Sequence, residues 1–148
     1  MRKNEKGITL VALVVTVVVL LILAGVTISF VLSDGGLFGK AQNLKYDSAR
    51  ASISDYMTTA ITSVKTENAI SSATGTTPGY GDGSEAQLVP FIQKSFGKGF
   101  TCAAGTGLKV GQDGYLEGTM TVTVADPAST FTVDFTSKTV KQDTPPIK

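Results

Sequence analysis

The chain has 148 residues, 13 of them basic and 12 acidic, for a formal charge of +1. So balanced a charge lacks the basic excess of a strong nucleic-acid binder, and none is expected. Histidine is absent, which removes the commonest general base and the commonest zinc ligand together, and the single cysteine, Cys102, excludes an intramolecular disulfide.

In chain order the first element is residues 8–32, an apolar run without a charge, whose only polar side chains are Thr9, Thr16, Thr27 and Ser29. As a helix it is about 37 Å long at ~1.5 Å per residue, enough to cross a hydrocarbon core of about 30 Å with some tilt. Valine and isoleucine favour strands in water, but in lipid a single segment satisfies its own backbone only as a helix. Its isolated hydroxyls can bond to carbonyls one turn earlier. Arg2, Lys3 and Lys6 precede it with a single Glu5, which puts the N-terminus on the cytoplasmic side. The run exceeds the apolar core of a cleaved secretory signal. "LILAGV" (residues 21–26) approaches a lipoprotein box but ends in Val26 where the lipidated cysteine would stand.

The boundary "KGITLV", Lys6 to Val11, resembles the class III signal of type IV prepilins and pseudopilins, and the resemblance extends over about residues 1–41 through "GVTISFVLSDGGLFGKA". It implies a leader, residues 1–7, removed by the membrane prepilin peptidase after Gly7, with Lys6 beside the cut and Ile8 as the methylated mature N-terminus. It also implies that residues 8–32 stay on the mature subunit as transmembrane segment and then filament core, with Thr9, Leu10, Ala12, Leu13, Thr16, Ala24, Gly25 and Ser29 on the assembly helix. The implied partners are copies of the same chain, the assembly ATPase and its platform, and the cytoplasmic membrane before the subunit reaches the cell surface. One position departs from the pattern. The family's glutamate at the fifth mature residue is Ala12 here, so its ion pair with a neighbour's amine is not available. Loss of the leader leaves 10 basic and 11 acidic residues.

A joint follows at residues 33–36, where Asp34, Gly35 and Gly36 interrupt helical character. Residues 37–69 then predict an amphipathic helix: Phe38, Ala41, Leu44, Ala49, Ile53, Tyr56, Met57, Ala60, Ile61 and Val64 recur at spacings near three and four, a stripe that the rest of the chain is expected to cover. Phe30, Phe38, Tyr46 and Tyr56 read as core or interface aromatics rather than an electron-conducting array. Residues 71–85 form a Gly/Ser/Thr loop with too few carboxylates for an EF-type calcium site. "AQLVPFIQKSF" (residues 86–96) reads as a short helix or irregular segment around Pro90.

From residue 108 to about 141 the period becomes two. Gln112-Asp113-Gly114 signals a hairpin, Leu116, Met120, Val122 and Val124 share a face, a turn follows at Asp126-Pro127, and Phe131, Val133 and Phe135 alternate with polar residues. The expectation is an α+β fold, pilin-like: a long N-terminal helix with an apolar half and an amphipathic half, the latter packed on a small antiparallel meander in a head domain of residues 37–148.

No catalytic constellation is present in the sequence. No serine sits in a Gly-x-Ser-x-Gly elbow, and Cys102 has no imidazole partner and reads as a small buried residue. No enzyme activity, cofactor or metal is expected. The functional expectation is a structural subunit of a type IV pilus. A pseudopilin of a secretion or DNA-uptake system, and a non-polymerising single-pass membrane protein with an extracellular binding head, stand as alternatives.

Overall fold

A computed structural model describes residues 5–33 and 35–143; side chains are described from Thr9 onward. The elements are α1 (Glu5–Leu32), α2 (Leu37–Thr74), α3 (Glu85–Gln93), β1 (Phe100–Ala104), β2 (Lys109–Val110), β3 (Leu116–Glu117), β4 (Thr119–Val124), β5 (Ser129–Asp134) and β6 (Thr139–Gln142). The layout is α+β, with long N-terminal helices and a small antiparallel sheet. Two compact units divide the chain between Asn43 and Leu44.

In the first unit, α1 is the apolar run itself. Its most apolar stretch has a mean hydropathy of 3.1, and none of that stretch is buried. Large side chains along it stand open to the surroundings, among them Leu10 at 63% and Leu21 at 67% exposure. Two of its hydroxyls turn inward to the backbone: Thr16 Oγ1 donates to the Leu13 carbonyl at 2.8 Å, and Thr27 Oγ1 to those of Leu23 and Ala24 at 3.0 Å. Helical character stops at Leu32 and resumes at Leu37. The Gly36 amide donates to the Ser33 carbonyl at 2.7 Å, and the Lys40 amide to the Gly36 carbonyl at 3.1 Å. Gly36 is buried, and a Cβ there would run into the Phe30 carbonyl, whereas one on Gly35 would meet nothing within 4 Å. Asp34, the joint's third expected residue, lies outside the described residues.

In the second unit the sheet order is β1-β4-β5-β6, all antiparallel. Register aligns Ala104, Met120, Val133 and Val140 in one row and Cys102, Val122 and Phe131 in the next. Met120, Val122, Phe131 and Val133 are fully buried. They join Ala49, Ile53, Met57, Ala60 and Val64 of α2 and Leu88 and Ile92 of α3 in one core, because a period of two on the strands and near 3.6 on the helix each collects the apolar residues on one side. Arg50 Nε of α2 donates to the Val140 carbonyl of β6 at 3.2 Å. The opposite face of the sheet carries Thr121 and Thr123 of β4 paired with Thr132 and Thr130 of β5.

Several expectations need correction. The stripe on α2 is covered only from Tyr46 onward: Phe38 and Leu44 are 62% and 67% exposed and Ala41 is exposed. The helix runs to Thr74 instead of ending near residue 69, with Ser71 buried and Thr74 Oγ1 donating to the Ile70 carbonyl. The sheet begins at Phe100 and not at 108, because β1 joins as an edge strand. The run from Tyr115 to Val124 is two strands, β3 and β4, separated at Gly118. Gly118 has φ +91, and a Cβ there would collide with the Gly107 carbonyl, so this crossing of two backbone segments requires glycine. The hairpin β2–β3 is its own two-stranded sheet, with Lys109 opposite Glu117. Of the two forms expected around Pro90, the short helix is found, over residues 85–93; the ladder bond lost at proline is offset by burial of Leu88 and Ile92.

Candidate assembly segment and head groove

Lys6, Gly7 and Ile8 lie in the first turns of α1, and the remainder of the expected leader, residues 1–4, lies outside the described residues. Cleavage between Gly7 and Ile8 would require this first turn to open, because proteases take their substrates extended. Thr9, Leu10, Ala12, Leu13, Thr16, Ala24, Gly25 and Ser29 are all exposed on α1. They do not form one stripe. At 3.6 residues per turn, Gly25 and Ser29 share a face, while Ala12 points about 120° away from it. Gly25-x-x-x-Ser29 is therefore a small-xxx-small pair, and a Cβ on Gly25 would meet nothing within 4 Å. Such a face admits the backbone of another helix closely.

Of the aromatics considered along the stem, Phe30 and Phe38 are exposed and Tyr46 is buried. The Tyr56 ring packs tilted against Phe96, with centroids 5.4 Å apart, and edge-to-face on Phe100 at 5.3 Å.

Cys102 is buried on β1, and burial pushes its thiol up to about 12, so it stays protonated and a poor nucleophile. Among the described residues no group of three or more acidic, cysteine or histidine side chains is placed to hold a metal ion. Asp82 and Asp134 have carboxyls held below the ordinary range by hydrogen bonds, from Ser84 in the first case and Ser137 in the second. Both are local turn structures: the Ser84 amide donates to Asp82 Oδ1 at 2.9 Å, and the Thr136 and Ser137 amides donate to Asp134 Oδ1.

Two features escaped the sequence reading. Gln93, at the end of α3, closes the free edge of β1: its Nε2 donates to the Phe100 carbonyl at 2.9 Å and its Oε1 accepts from the Cys102 amide at 2.7 Å. An open strand edge is a template for unwanted pairing, and here a side-chain amide occupies it. The second is an open groove of about 540 Å³ on the head, along α2 and against Phe91 of α3. Its α2 wall was legible as Thr58, Thr62 and Thr66 at intervals of four; its aromatic wall, from a distant helix, was not. No family model matches the chain, and neither a curated protein nor a solved structure matches it.

Proposed function

We propose that the chain is a structural subunit of a type IV pilus or a related pseudopilus, trimmed after Gly7 and polymerised through residues 8–32. The observation that carries this reading is the contrast between a head whose apolar residues are buried in its own core and a helix, α1, whose most apolar stretch is wholly uncovered. Such a helix needs an apolar partner outside its own chain. α1 is long and apolar enough to cross a bilayer, and copies of the same helix are the partner the "KGITLV" boundary implies. Moving from lipid to a bundle of helices gains little hydrophobic energy, so close packing must supply the difference, and Gly25 with Ser29 provides a face for it. The contact is heterologous, which generates an open helical polymer instead of a closed ring.

Ala12 favours a second reading, a single-pass protein that stays in the membrane, because the subunit-pairing glutamate of the resembled family is missing. Mass spectrometry of the protein purified from its native membrane separates the two. A chain beginning at methylated Ile8 supports the filament subunit; a retained leader, or a cut within the apolar run, overturns it.

A further inference from the structure

The head groove has an unusual chemical bias. Thr58, Thr59, Thr62 and Thr66 line it, and each spends its hydroxyl proton on the carbonyl four residues earlier: Ser54 and Asp55 at 3.0 Å, Thr58 at 2.9 Å and Thr62 at 2.8 Å. What these residues offer a visitor is therefore oxygen lone pairs and methyl groups. Glu67, also on the wall, is acceptor-only when ionised. The Gly79 amide donates to its Oε2 at 3.3 Å, and a Cβ on Gly79 would come within 2.8 Å of Oε1, so the carboxylate is seated against a gap left by that glycine. Opposite stands the ring of Phe91, fixed edge-to-face by Tyr80 with centroids 6.0 Å apart. Tyr80 in turn donates to Asn68 Oδ1 at 3.2 Å. Among the described residues no basic side chain lines the groove. The nearby Lys65 is engaged elsewhere, with Nζ donating to the Tyr115 hydroxyl at 2.6 Å and lying 4.4 Å from that ring's centroid.

Ser63 adds a hydroxyl that can donate or accept. Four threonine acceptors, one anchored carboxylate, methyl groups and a π face suit a ligand that is a hydrogen-bond donor, a cation and aliphatic at once. We propose that this groove binds a primary alkylammonium group, carried either by a free small amine or by a lysine side chain, with the ammonium on Glu67 and the threonine oxygens and the methylene stem on the threonine methyls and Phe91. The site lies wholly within the head and stands independently of the filament reading.

The test uses the full chain in maltoside micelles with labelled threonine methyls, titrated with n-butylammonium chloride against a potassium chloride control of equal ionic strength. Saturable shifts at Thr58, Thr62 and Thr66 are expected, with n-butanol at least about tenfold weaker, because hydrogen bonds to charged groups are the strong ones. Glu67→Gln should weaken binding by roughly tenfold. Thr62→Val, which keeps the shape and removes one acceptor, should weaken it roughly threefold with the head still folded. Nα-acetyl-lysine amide is the second arm: tighter binding than butylammonium assigns the site to a lysine side chain, and weaker binding to a free amine. Absence of a saturable change with either amine, equal binding of butanol, or full affinity in Glu67→Gln overturns the proposal.

Discussion

Ile53 on α2 is 0% exposed and Leu21 on α1 is 67% exposed, although both are large aliphatic side chains on helices of the same chain. The difference lies in what surrounds each apolar side chain in sequence. Around Ile53 the apolar residues recur every three or four positions, with Ser54 and Asp55 between them, so the helix has an inside and an outside, and the four-stranded sheet together with α3 supplies the inside. Around Leu21 every position is apolar, so no face is distinguished and no single sheet could cover it. A helix that is hydrophobic all round requires an apolar surrounding on all sides. The chain thus contains one helix finished by its own fold and one that requires other molecules.

The largest effect that separates these regions comes from truncating side chains in each. Phe131→Ala should destabilise the head by about 3–5 kcal/mol through lost burial and the cavity left behind, while Leu21→Ala should leave the head's urea midpoint unchanged; near-ultraviolet circular dichroism during urea titration in maltoside reads both. Equal losses would erase the distinction. A charge gives the converse experiment: Val18→Lys at the middle of α1 should cost about 2.5–3.5 kcal/mol of membrane insertion and move protein out of the membrane fraction, with the head fold intact by limited proteolysis. Smaller is the effect of Gln93→Ala, about 1–3 kcal/mol for a strand edge whose Phe100 carbonyl and Cys102 amide lose their partner. The smallest is a pH effect confined to the head. The Cys102 thiol is raised from an ordinary 9.0 to about 12, so at alkaline pH the unfolded chain releases a proton that the folded chain retains. Stability therefore falls as pH rises from about 9 toward 12. Tyr80, raised first by burial and second by the Glu67 charge, adds in the same direction. Cys102→Ala should flatten the decline in urea midpoint between about pH 8 and about pH 10.5, and an unchanged slope would remove the thiol from the account.

The same contrast explains what could be read from the residues alone. α1 was legible because composition by itself defines it, and β4 and β5 because Met120 to Val124 and Phe131 to Val133 alternate cleanly. β1 was not: in "FTCAA" the two alanines carry no directional signal, and only pairing along its whole length with β4, from Phe100 opposite Val124 to Ala104 opposite Met120, makes it a strand. The last turn of α2 runs through Ser71, Ser72 and Ala73 to Thr74, where propensity favours an end; the helix closes only at Gly75, whose φ is +69 and whose amide donates to the Ser71 carbonyl at 2.8 Å. The uncovered start of α2 has a related reason: periodicity shows that a stripe exists, but not how far along the helix a partner covers it. For the groove, threonines at four-residue spacing were visible, whereas their acceptor-only character depends on which way each hydroxyl proton turns.

Electron cryomicroscopy of fibres sheared from the surface of the native cells tests the filament reading most directly. Density for residues 8–32 packed helix against helix along the fibre axis, with the heads outside, is the expected result. Fibres joined through the heads alone, or this chain found only as a bilayer-embedded protein that forms no fibre, would contradict it.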